Sequence, residues 1–270
     1  MLMTVTSERL NFVNVDALAF AAKQRRIDWN VPTRTYAVTS IGPLLELLQL
    51  STSGLLPTID QIPCLKLDAI ADFWLALGRG KMLWISPTDR QIGFFRTASP
   101  SDLNDSRWVE FCLVARKAAV SAGFHPRIAS QFVGALGELH SNIHEHSEAS
   151  NTGLVAFQTT GRNFQFVVLD VGVGILASLK RCSEYWHLRD HADAIALALT
   201  EGSSRFGSGQ NRGLGFRPIF VGLTNLQGSL RFRSGDHALT MNGRSPSLLS
   251  ARAEQKVLLP GFFVCVSCRP

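Results

Sequence analysis

The run from Ile128 to His146 constrains the fold most. Its apolar residues Ile128, Phe132, Ala135, Leu136, Leu139 and Ile143 recur at three- and four-residue steps, the spacing of one face of an amphipathic helix. Such a helix needs a broad apolar surface to lie on, and the chain supplies one directly afterwards. Thr152 to Thr160 and Phe164 to Asp170 are rich in β-branched and aromatic residues and flank Gly161-Arg162-Asn163, so they read as a hairpin-like pair of strands. Upstream, Trp108 to Ala122 carries a second helical pattern, and His125-Pro126 starts the long helix. Strands at Ser229 to Arg233, Ala238 to Met241 and Phe262 to Val266 complete an α/β sandwich, with a mixed sheet and its helices on one face.

Three segments of this region carry polar groups that suit a nucleotide. Glu138 and Asn142 are four apart, so a carboxylate and a carboxamide oxygen share one face of the long helix. Mg²⁺ takes oxygen ligands, keeps waters and is completed by substrate phosphates, so the Asn142 oxygen suffices as a protein ligand and Glu138 is left to act as a base. Phe164 to Leu169 runs into Asp170-Val171-Gly172-Val173-Gly174, where a carboxylate at a strand end can accept from the exocyclic amine of adenine and alternate glycines allow close approach of a flat ligand. Gly207 to Gly215 precedes the apolar run Phe216 to Leu226, and glycine-rich backbone opening a helix offers N–H groups to phosphates.

These residues resemble the N, G1 and G2 boxes of the GHKL ATPases, which have the Bergerat fold and include gyrase B subunits, histidine kinases and anti-sigma-factor serine kinases. The similarity is greatest to the stand-alone bacterial anti-sigma kinases. Glu138, Asn142, His146 and Ser147 fit E-x-x-x-N-x-x-x-H-[AS], Arg212, Gly213, Leu214 and Gly215 fit R-G-L-G, and the resemblance covers about residues 106 to 268. It implies ATP and Mg²⁺ as ligands, with Asn142 on the metal, Glu138 as base and Asp170 on the adenine amine. Gly172 and Gly174 would shape the base pocket, Gly213 and Gly215 would lie under the phosphates, and Ile175 to Arg212 would form a mobile lid. The function implied is Mg-ATP-dependent regulation of a protein partner by hydrolysis or serine phosphorylation, the alternative being a non-catalytic ATP-dependent switch. A homodimer is compatible with either.

The chain departs from the family where the last strand often begins Gly-Thr, since it reads Gly261-Phe262, and Thr240 is the hydroxyl considered in its place. No long heptad helix pair precedes the region, which argues against autophosphorylation on His. His140 and His144 have the i,i+4 spacing of a shared metal, but without H-E-x-x-H or an acidic or cysteine cluster they read as structural.

The first half of the chain is less patterned. Ile27 to Asn30 reads as a strand, Ser40 to Leu48 as a turn and amphipathic helix, Ile70 to Leu77 as a helix and Lys81 to Ile85 as a strand. Thr39-Ser40-Ile41-Gly42 faintly resembles the phosphoacceptor turn of STAS domains. The expected division is a small α/β domain over 1–105, an adaptor or dimerisation unit, and the ATP-binding domain over 106–270. The polar stretch Thr97 to Ser106 is the expected linker.

Five scattered cysteines argue against a disulfide framework, and neither a leader pattern nor a window near 18 apolar residues is found, so a cytoplasmic protein is expected. The net charge of +6 comes from dispersed residues, with Arg205, Arg212, Arg217, Arg231 and Arg233 near the expected phosphate end. Nucleic acid is therefore not the expected partner, because no basic stripe with groove-reading or stacking residues is present.

Overall fold

The computed structural model describes residues 6–29, 34–199, 226–244 and 251–270. The chain is α/β and divides into two compact units, Met1–Lys81 and Met82–Pro270.

In the first unit, β1 (Thr6–Arg9), β2 (Arg34–Ala37) and β3 (Leu65–Lys66) form a three-stranded parallel sheet in the order β1-β2-β3. The helices α1 (Phe12–Lys23), α2 (Ile41–Thr52) and α3 (Ala71–Gly78) follow the strands in turn. A reciprocal cap starts α1, with the Asn14 amide donating to Asn11 Oδ1 at 3.0 Å and the Asn11 amide donating to Asn14 Oδ1 at 3.1 Å. Ser40 is the half-buried N-cap residue of α2. Residues 27–29 carry no strand, and Asn30 lies outside the described residues.

The second unit is built on a six-stranded sheet in the order β4-β5-β6-β7-β9-β8. Its members are β4 (Leu83–Ile85), β5 (Ile92–Arg96), β6 (Leu154–Thr160), β7 (Asn163–Asp170), β8 (Gln227–Arg244) and β9 (Arg252–Arg269). Every described pairing in it is antiparallel, and parallel pairing is confined to the first unit. The strands read separately at 229–233 and 238–241 are one long strand, β8, kinked by register shifts on both sides of Gly235.

The division at Lys81 corrects the expected boundary at 105. Hydrogen bonding decides it, because β4 pairs with β5 and β5 pairs with β6, so residues 83–96 are the edge of the larger sheet. The expected linker is a folded connection between β5 and the helix α4 (Ser106–Ser121). Thr97 and Asp102 are buried there, and Asp102 Oδ2 accepts from the Ala98 and Ser99 amides at 2.5 and 2.9 Å. Turn-forming residues satisfied the local backbone and marked no domain boundary.

Helices α4 and α5 (Pro126–His146) pack on one sheet face. Pro126 occupies the first turn of α5, where its missing N–H costs nothing. Phe132, Ala135, Leu136, Leu139 and Ile143 of α5 meet Trp108, Phe111, Val114 and Ala118 of α4 and Phe157, Phe164, Phe166, Val168 and Phe232 of the sheet. Each fully buried Phe is worth about 1.5–3 kcal/mol, so this aromatic layer fixes α5 against β7. Among the described residues no helix is long and apolar enough to cross a membrane.

Candidate functional site

The C-terminal end of α5 meets the end of β7. The helix closes at Ser147, whose amide still donates to Ile143 O at 3.2 Å while its carbonyl accepts from the Val173 amide at 2.9 Å, and the backbone turns at Glu148, which has φ +60°. The segment after Asp170 is thereby held against the end of the helix. The Val171 amide donates to Thr152 Oγ1 at 3.0 Å, fixing the first step of the same turn.

Asp170 is 1% exposed at the end of β7. Its Oδ1 accepts from the Gly172 amide at 2.7 Å, and its carboxylate also bonds the Ser147 hydroxyl. Burial pushes its pKa up to about 6, and the Gly172 and Ser147 donors oppose that rise.

The glycines of this loop are required by the protein's own packing. A Cβ on Gly172 would lie 2.1 Å from Ser147 O and 2.2 Å from Ser147 Oγ. Gly174 has φ +76°, and its Cβ would meet Ser234 Oγ at 2.9 Å and Gly261 O at 3.0 Å. Close approach was legible in the spacing; what approaches is Ser147 and Ser234.

Ser234 is the residue that sequence reasoning missed. It is buried on β8 opposite Phe262, its hydroxyl donates to Gly261 O at 2.8 Å, and its Oγ accepts from the Ile175 amide at 3.0 Å. Thr240, considered for this place, is exposed and pairs with Arg252 further along the ribbon. Only strand register reveals Ser234, because no local motif surrounds it.

Glu138 is exposed and Asn142 half-buried on α5, four residues apart. Asn142 lies five residues before Ser147, about 7.5 Å along the helix axis, and Glu138 lies about 13.5 Å before it. The helix thus offers an oxygen-bearing face leading away from the Asp170 turn. Arg212, Gly213, Leu214 and Gly215 lie outside the described residues, as do Arg205 and Arg217.

Arg231 and Arg233 lie on β8. They are 4% and 0% exposed, they alternate with the core residues Leu230 and Phe232, and Arg233 Nη2 donates to Val257 O. Strand alternation sends both arginines to the sheet face opposite α4 and α5.

The segment expected as a lid is folded as far as Leu199. It contains α6 (Gly174–Leu179), a 3₁₀ turn at Ser183–Tyr185 and α7 (His191–Ala198), with Leu179, Tyr185 and Ala194 forming a small apolar cluster of their own. Ties at its root run from His146 Nδ1 to Ser178 Oγ at 3.2 Å and from Glu148 to Arg181.

His140 is wholly buried, 4.0 Å between ring centroids from Trp108, and its Nε2 lies 3.3 Å from His144 Nε2. Among the described residues no group of three or more His, Cys, Asp or Glu side chains is placed to hold a metal. Burial, and next the neighbouring His144, push the His140 pKa down to about 4, while Asp102 acts in the other direction. The unfolded chain therefore binds a proton that the fold refuses between about pH 6.5 and about pH 4, so stability contributed by neutral His140 is lost as pH falls through that window. The loss is about 3 kcal/mol by about pH 4. Urea unfolding of His140→Phe at neutral and acid pH is expected to lack this loss; an acid limb equal to that of wild type would place the acid sensitivity elsewhere.

A scan against protein-family models matches none, and a search of curated proteins finds no match.

Proposed function

We propose that the protein binds Mg-ATP and uses it to regulate a protein partner, in the manner of the GHKL proteins that its motifs resemble. The observation that carries this reading is Asp170. It is a buried carboxylate at a strand end, positioned by Gly172 and Ser147 beside the helix that bears Asn142 and Glu138. A carboxylate has several acceptor lone pairs, and its oxygens are suited to accept from the exocyclic amine of adenine.

The Asn142 oxygen would ligate Mg²⁺, and the phosphates would complete the coordination. Held there, the ion would supply positive charge to the phosphate oxygens. Glu138 would accept the proton of the attacking hydroxyl or water, its exposed position on α5 leaving it accessible. The γ-phosphate would pass to a serine hydroxyl of the protein partner, or to water in simple hydrolysis, with ADP as the leaving group.

Calorimetric titration with ATP and GTP, with and without Mg²⁺, tests the reading on the whole chain. Saturable, Mg²⁺-dependent binding of ATP over GTP is expected, weakened at least about tenfold in Asn142→Ala, the scale of one lost charge-assisted contact. Equal binding by the variant would remove Asn142 from the metal, and absence of ATP binding by wild type would end the proposal. Transfer of the γ-phosphate to protein or water separates an enzyme from a switch that only binds.

A further inference from the structure

Ser147 occupies a place that its sequence motif does not explain. Its backbone closes α5 and also receives the Val173 amide, so the peptide unit is committed to structure. The hydroxyl has a separate set of partners. Ser147 Oγ accepts from the Ala149 amide at 3.2 Å, which fills one lone pair and leaves the hydroxyl proton to be donated. Its acceptor is the Asp170 carboxylate.

The contact exists because the neighbouring residue is glycine. A Cβ at position 172 would fall 2.2 Å from Ser147 Oγ, so any side chain there would push the hydroxyl off the carboxylate. Ser147 is 3% exposed, which shields this bond from competition by water.

We propose that Ser147 is a positioning residue that holds Asp170 as a hydrogen-bond acceptor, so that the site selects a 6-amino purine over a 6-oxo purine. This rests on the nucleotide reading above. An ionised Asp170 that receives protons from Gly172 and Ser147 can only accept, and it matches an amine. A protonated Asp170 carries an O–H and matches a carbonyl, so the preference inverts with one proton. Among the groups facing Asp170 are the Gly172 amide and the Ser147 hydroxyl, with Gly261 of β9 crossing its backbone. The titratable groups beside Ser147 on the same turn are engaged elsewhere, His146 with Ser178 and Glu148 with Arg181.

The test compares wild type with Ser147→Ala for binding of Mg-ATP and Mg-ITP from about pH 5 to about pH 8, and follows the Asp170 carboxyl carbon by NMR in the nucleotide-free proteins. In wild type Asp170 is expected to titrate at about 6, and the preference for ATP over ITP should fade as pH drops through that value. Loss of the Ser147 donor should raise both midpoints by roughly a unit. Ser147→Cys, which keeps the size and donates weakly, should lie between, and it serves if the alanine variant does not fold.

An Asp170 titration and an ATP-to-ITP ratio unchanged in both variants would overturn the role of Ser147 while leaving ATP binding intact. Failure of wild type to bind either nucleotide would overturn the nucleotide reading, and the proposed selectivity with it.

Discussion

Asp170→Asn is expected to make the free protein more stable at about pH 8 while weakening ATP binding roughly 10- to 100-fold. Asp170 is 1% exposed and its pKa is raised from 3.8 to about 6, so ionisation is opposed by the fold. Between these two values the folded state holds a proton that the unfolded chain has released, and stability falls as pH rises through the window. Above about pH 6 the accumulated loss is about 3 kcal/mol. An uncharged amide at this place removes it. Asn can still accept from the Gly172 amide through Oδ1, and its NH₂ can donate to Ser147 Oγ, so the loop stays in place. That same NH₂ would meet the adenine amine donor to donor.

Denaturant unfolding at about pH 5 and about pH 8, beside calorimetry with Mg-ATP, reads both effects. A variant destabilised at high pH would contradict the burial argument, and one that binds ATP like wild type would remove Asp170 from the base site. In the acid range Asp170 and His140 act in opposite directions, since the first gains stability and the second loses it as pH falls. Wild type should therefore change less between about pH 6 and about pH 4 than either single variant does.

The second large effect is expected at Gly261. Its φ is +73°, and a Cβ would lie 2.0 Å from the carbonyl oxygen of Asp170, a backbone atom of a central strand that cannot rotate away. Gly261→Ala combines left-handed backbone strain of about 1–2 kcal/mol with a steric shift of about 1–3 kcal/mol, for a total of about 2–5 kcal/mol. Gly161, in the turn between β6 and β7, separates the two terms. It has φ +57° with nothing within 4 Å of a Cβ, so Gly161→Ala should cost only the strain, about 1–2 kcal/mol. Equal losses at the two positions, measured by chemical denaturation, would show that crowding at Asp170 is not what constrains Gly261.

Much of the second unit was legible because its signals are periodic and local. The apolar spacing from Ile128 to Ile143 became the buried face of α5, and the strands on either side of Gly161 pair as a hairpin. Turn chemistry misled where polar residues served their own backbone: Asp102 and Ser99 made a folded corner, and the expected boundary there lies instead at Lys81. Alternation along β8 placed Arg231 and Arg233 in the interior, a burial that their charge did not suggest.

Legible from residue order alone were the α/β class, the helix carrying Glu138 and Asn142 on one face, and the carboxylate followed by two close-approach glycines at the end of a strand. Each rests on contacts within a few residues, or on the 3.6 and 2.0 periods of local backbone geometry. Tertiary structure alone decided that Ser147 reaches Asp170, that Ser234 reaches Gly261 and Ile175, and that β4 and β5 belong to the larger sheet. Those outcomes depend on strand order and register between segments far apart in the chain, set by burial of the shared aromatic core and by no pattern that a short window contains.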